Sequence, residues 1–351
     1  MSHESESTLA RDVRIKDVHE FVQLLGYDKH GIFKFESSRA FEEYSWFDDT
    51  DYKSWSGVEL TIYTSDSGRI VVSTRTTISR SYYDLMHQNR TISLLRKHFG
   101  GEFTTDEGRG RYLRTENNPP PAAASGCYLA FSRFGGNLIK AKLCHESRSF
   151  PNNFPKPNKR FGFLIDFDPR VVANNTLVPF LVATSEDYLK STFIALLRYS
   201  QKREGFLRNV RLQGEQLSAI AAGKSSVEDQ AAEMLSFQRI SAVCRHFDAL
   251  DSKLDLATSL RKPYRRRKES LFDSMENLVL RRHDFIHRAV IDRSLTDERI
   301  DDIIYDLEAA LTRVYKRITS HYDWFFDKNW GVGQRRRKKE LLVPSPHGIL
   351  K

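Results

Sequence analysis

Cysteine is scarce: Cys127, Cys144 and Cys244 are the only three in 351 residues, far apart and in no CxxC spacing. That excludes a disulfide-stapled scaffold and a zinc knuckle, and is expected of a reducing cytosol. Proline (11) and glycine (18) are sparse, so collagen-like and low-complexity chains are excluded. Nothing approaches the roughly 18 uninterrupted apolar residues of a membrane span; the longest candidate, Leu177 to Ala183, is short and broken by Pro179. The opening MSHESESTLARDVR is polar and acidic, where a signal peptide needs a basic start and an apolar stretch. A cytoplasmic protein without membrane contact is therefore expected. Missing too are a GxGxxG or GKS/T fingerprint, the register of a calcium loop around Asp48, Asp49 and Asp51, and ligand spacing among His87, His98 and His145. No cofactor and no metal are expected.

Present instead are 23 phenylalanines, 14 tyrosines and a 40% apolar content, enough for about two packed cores. The net charge of +9 is local. It resides in Arg261, Lys262, Arg265, Arg266, Arg267 and Lys268 and then in Arg335, Arg336, Arg337, Lys338 and Lys339; the rest of the chain is close to neutral. The second run reads as a tail. The first lies within a helical region and is the candidate for contact with a polyanion such as RNA.

The hydrophobic pattern predicts an α+β N-terminal domain with an antiparallel sheet over 1–185, a helical bundle over 186–325 and a basic tail over 326–351. Val58 to Tyr63 and Arg69 to Thr77 read as a hairpin, followed by a helix over 79–99 that ends at Gly100. Further strands are expected at 127–131, 137–143, 161–166 and 177–182, with a loop at 119–125. In the bundle, helices are expected over 186–211, from a Ser225/Glu228 capping box, from about 265 to the late 280s, and from Thr296.

Within the third of these helices, LVLRRHDFIHRAV places Arg282, His283 and His287 together. Arg282 falls in the apolar stripe of Leu271, Met275 and Leu278, where a charge needs a partner. Arg282 and His287 are five residues apart, roughly 140° around a helix. To meet one ligand, the helix must end between them or a second copy must complete the site. Arginine offers a fixed fork of donors for a phosphate. Histidine can take or give a proton near neutral pH, which is what removing a ribose 2′-OH proton and protonating a 5′ oxygen require.

Arg282-His283-x-x-x-His287, near the end of the third helix of a four-helix unit, resembles the R-x4-6-H motif of the HEPN superfamily. In particular, RRHDFIHR at 281–288 resembles its RiboL-PSP and ApeA-like branches, which occur in toxin–antitoxin and antiphage systems. The resemblance covers roughly 186–323. It implies a homodimeric helical bundle that acts as a metal-free endoribonuclease, leaving a 2′,3′-cyclic phosphate and a 5′-OH, with an antitoxin or defence-system partner. By the same resemblance Arg282 binds the scissile phosphate, His287 is the general acid/base and His283 helps orient the site. The branch paired with nucleotidyltransferases carries a tyrosine two residues after the histidine. Here that position is Ala289, so control by AMPylation there is not expected. A non-catalytic RNA-binding or dimerising protein is the alternative.

Overall fold

The structure, a computed structural model, describes residues 2–34, 40–114, 118–148, 168–265, 267–327 and 331–334. It divides into two compact units, residues 1–125 with 324–351 and residues 126–323.

The first unit is a seven-stranded antiparallel sheet. Its elements are β1 (His3–Thr8), α1 (Ile15–Leu24), β2 (Asp28–Lys34), β3 (Ala40–Trp46), β4 (Val58–Thr64), β5 (Ile70–Thr76), α2 (Tyr82–Phe99), β6 (Glu102–Thr105) and β7 (Gly108–Arg109). The strand order is β2-β3-β4-β5-β1-β6-β7. The expected hairpin is β4–β5, in a register that pairs Leu60 with Thr74 and Ile62 with Val72. Alternation puts Leu60, Ile62 and Val72 in one core with Val18 and Val22 of α1 and Leu95 of α2. It leaves Glu4, Glu59 and Arg75 on the opposite, solvated face.

The start of α2 is fixed by Ser81 and Asp84, which form a capping box, with Asp84 N–H donating to Ser81 Oγ at 2.9 Å. Asp84 Oδ2 also accepts from the main-chain N–H of Ser81 at 2.8 Å and of Trp55 and Ser56 at 3.1 Å each. Gly100, at φ 65°, ends the helix where the sequence places the stop. One turn into α2, the His87 ring stacks on Trp46 at 3.7 Å between centroids, and its Nε2 is buried without a hydrogen-bond partner. Burial above all, helped by nearby Arg90, pushes the imidazole down from 6.5 to about 4.

The unfolded chain therefore binds that proton first as the pH falls. The stability that neutral His87 supplies above pH 6.5 is lost progressively down to pH 4, about 3 kcal/mol in all. Urea midpoints between pH 7 and pH 4 should record this. His87→Gln should flatten the slope, and an unchanged slope in that variant contradicts it.

The second unit is helical: α3 (Ala122–Glu146), α4 (Pro169–Arg198), α5 (Arg203–Leu207), α6 (Gly214–Ala221), α7 (Val227–Glu233), α8 (Ile240–Leu250), α9 (Leu256–Arg261), α10 (Leu271–Arg288) and α11 (Asp297–His321). A short hairpin, β8 (Trp324–Asp327) with β9 (Gly331–Gln334), follows and clusters with the first unit. The helices carry a core in which Phe131 stacks on Tyr315 at 4.3 Å and Phe193 meets Phe237 and Phe247. Arg133 of α3 binds Asp187 of α4 at 2.7 Å, and Lys142 binds Glu308 of α11 at 2.8 Å.

Several expectations are corrected. The stretches 127–131 and 137–143 are not strands but parts of α3, and 177–182 lies inside α4. The helical part thus begins at Ala122 rather than near 186, and the loop at 119–125 gives way to helix at its alanines. The expected strand at 161–166 lies outside the described residues. The helix expected over 186–211 is the second half of α4, a break, and α5. The capping box is Ser226 with Asp229, one residue on from Ser225 and Glu228.

Candidate functional site

Helix α10 opens with a capping box, Ser270 with Asp273, and buries Leu271, Phe272, Met275 and Leu278. Beyond Leu278 the apolar stripe gives out. Arg282 and Phe285 are half-buried in its line, and His283, Ile286 and His287 are exposed. The helix does not end between Arg282 and His287. It runs unbroken to Arg288 and stops at Ala289, whose left-handed conformation (φ 51°, ψ 32°) lets its N–H bond the Asp284 carbonyl. Arg282 and His287 therefore diverge around one helix.

The His283 and His287 rings lie 4.7 Å apart between centroids. Around them Leu280, Ile286 and Val290 are 51%, 50% and 50% exposed, an apolar rim beside two imidazoles. Glu186 of α4 lies within electrostatic reach of Arg282. Burial raises the Glu186 carboxyl above its ordinary value, and the Arg282 guanidinium offsets part of that rise. Oε1 of Glu186 is buried without a hydrogen-bond partner.

The link after α10 is tied down by two buried asparagines of α4. Asn174 Nδ2 donates to the Leu295 carbonyl at 2.8 Å and to Asp297 Oδ1 at 3.0 Å. Asn175 Nδ2 donates to the Asp292 carbonyl at 3.1 Å, and its Oδ1 accepts from Asp292 N–H at 2.9 Å. Arg281 forms an ion pair with Asp292. Burial favours the neutral form of Asp292, but hydrogen bonds from Ser294 and the charge of Arg281 outweigh it and hold the carboxyl low. The end of the motif helix is thus rigidly based on α4.

The basic run divides. Arg261, Lys262, Arg265 and Lys268 are exposed. Arg261 lies over the Phe272 ring at 4.0 Å, and Arg265 is 4.0 Å from Asp302. Arg267 turns inward instead, donating to buried Asp306 at 2.9 Å. Arg266 and the second run, Arg335 to Lys339, lie outside the described residues. Among the described residues no cluster of three or more potential ligands is placed to hold a metal. No helix among them is long and apolar enough to cross a membrane.

No family model, curated protein or solved structure matches the chain. Any reading of the site rests on its own geometry and on the resemblance of its motif.

Sequence reasoning missed Glu186 and the Asn174/Asn175 pair. Glu186 stood at the presumed first turn of a helix, where an acid needs no partner. The signal available was the spacing Val178, Leu181, Val182, Ser185, Leu189, Phe193, which carries the helical period through Pro179. Packing on both sides of that proline outweighs its cost of about 3 kcal/mol.

Proposed function

We propose that the chain is an endoribonuclease that cleaves RNA without a metal, as a homodimer whose composite site joins Arg282 of one copy to His287 of the other. The observation that carries this is the end of α10. There, a half-buried guanidinium within electrostatic reach of Glu186 and two exposed imidazoles sit within six residues, beside an apolar rim formed by Leu280, Ile286 and Val290 that a second copy would cover.

In the reaction, Arg282 neutralises the scissile phosphate while an imidazole takes the proton of the ribose 2′-OH. The 2′ oxygen attacks phosphorus, and the 5′ oxygen leaves with a proton returned to it. The products are a 2′,3′-cyclic phosphate and a 5′-OH. His283, one side-chain ring away from His287, orients the acid/base. Arg261, Lys262, Arg265 and Lys268 track the backbone of the strand, and Arg266 would extend that series. By the resemblance of its motif, the protein acts in the cytosol as a toxin or antiphage effector under the control of a partner. The sheet unit, which carries no catalytic constellation among its described residues, serves recognition.

Incubating the purified protein with total RNA in EDTA should produce new ends with a cyclic phosphate, and His287→Ala should lose cleavage while retaining RNA binding. Cleavage that requires magnesium overturns the mechanism. Wild-type binding without cleavage favours a non-catalytic RNA-binding protein.

A further inference from the structure

Among the described residues, no ring nitrogen of His283 or His287 enters a hydrogen bond or an ion pair. Most other histidines are committed: His3 to Asp106, His30 to Ser45, His145 to Asp301, His246 to the Ser236 carbonyl and His321 to Asp251. The two imidazoles are exposed and stand one turn apart on an unbroken helix, a spacing that puts both on one face. Their ring centroids are 4.7 Å apart. Zinc bonds imidazole nitrogen at about 2.0–2.1 Å, so a tetrahedral ion that holds two rings sets their centroids about 5 Å apart. Side-chain rotation at exposed positions covers the difference.

The surroundings suit a cation. Three arginines adjoin the pair, and each has a carboxylate at hand: Arg281 is paired with Asp292, Arg288 with Asp284 at 3.1 Å, and Glu186 acts on Arg282. Leu280, Ile286 and Val290 beside the rings carry no charge, and apolar neighbours of this kind limit the access of competing water to metal–nitrogen bonds. We propose that His283 and His287 form a chelating site for zinc, and that the bound ion switches off the end of α10.

The donor set chooses the ion. Imidazole suits zinc, as it does copper(II) and nickel(II), whereas magnesium and calcium demand oxygen ligands. Two side chains fill half of a tetrahedral shell; water, or the same pair from a second copy, completes it. The lone pair that binds zinc is the one with which His287 would take a proton, so the ion inhibits without moving any residue. This inhibition rests on the endoribonuclease reading; the chelation rests on α10 alone.

The test is calorimetric titration of zinc chloride into the full-length chain, in a Cys144→Ser background that removes its exposed thiol. His283→Ala and His287→Ala should each weaken zinc binding about a hundredfold, because the second imidazole acts at high effective concentration. Magnesium should not compete. His98→Ala, which removes an exposed histidine of α2, should change nothing. Alanine is well tolerated at exposed helical positions, so the variants keep their fold. One ion per chain, or one shared by two chains, supports the pair. Absence of binding overturns the proposal. So does affinity that survives either substitution in α10, or that falls as far with His98→Ala, since zinc is then held by scattered surface side chains.

RNA cleavage followed in the same titration separates the two readings. Loss of cleavage as the site fills, restored by EDTA, supports the inhibition, and cleavage that persists with the site filled overturns it. A chain that binds zinc but never cleaves RNA loses the nuclease and keeps the metal site; one that cleaves RNA but ignores zinc does the reverse.

Discussion

Arg282→Ala and His287→Ala, each inactive alone, are expected to recover about a quarter of wild-type RNA cleavage when mixed in equal amounts and allowed to exchange chains. Each single change should cost on the order of a thousandfold, because one removes the positive charge on the phosphate and the other the proton carrier. Recovery follows from geometry. Helix α10 is continuous from Leu271 to Arg288, so the two side chains diverge by roughly 140° in one copy and, in the proposed dimer, reach one phosphate from different copies. A mixed pair then holds one site with both groups and one with neither, and random pairing makes about half of the dimers mixed. Mixing wild type with the double variant gives the control, in which mixed pairs hold no complete site. If exchange is demonstrated by mass and no activity returns, the composite site is wrong.

Asp84→Ala is expected to destabilise the sheet unit by about 4 kcal/mol. The Asp84 carboxylate is fully buried, and its Oδ2 accepts three main-chain N–H groups, from Ser81, Trp55 and Ser56. Removing it leaves three donors without an acceptor at the start of α2 and in the turn before β4. The loss should therefore exceed that of an ordinary helix cap, which is about 1 kcal/mol. Asp84→Asn keeps an oxygen in place and should lose less. Urea titration followed by tryptophan fluorescence, with Trp46 and Trp55 in the same unit, measures both. A change below about 1 kcal/mol for Asp84→Ala would mean that water or another side chain satisfies those groups.

The sheet hairpin and the last two helices were legible because their signals are local and doubled. Val58 to Thr76 alternates across a Ser-Asp-Ser-Gly turn, and α11 combines a Thr296 cap, two acids in its first turn and an unbroken apolar stripe. Helix α3 was not legible. Its two apolar runs are separated by Gly135 and Gly136, which read as a turn, yet the positions of their missing side chains meet no neighbour. A buried helix seen through a short window has no period to distinguish it from a strand. At the site, Arg282, His283 and His287 were found by spacing and residue type. Glu186 was not, because its electrostatic influence on Arg282 spans 96 positions and depends on how α4 packs against α10. The asparagines of α4 escaped for the same reason: their bonds reach 117 to 123 residues along the chain.

Arg267 would mislead a mutational scan of the basic segment aimed at the proposed RNA contact. Its guanidinium is the strut under Asp306, so replacing it unsettles the α10–α11 hairpin and depresses every readout at once. The loss would mark it as the hottest position of a binding epitope to which it does not belong. If the proposal holds, truncations at Arg261, Lys262, Arg265 and Lys268 would report on the ligand, whereas a truncation at Arg267 reports on the scaffold, and only a melting curve run beside the binding curve tells the two apart.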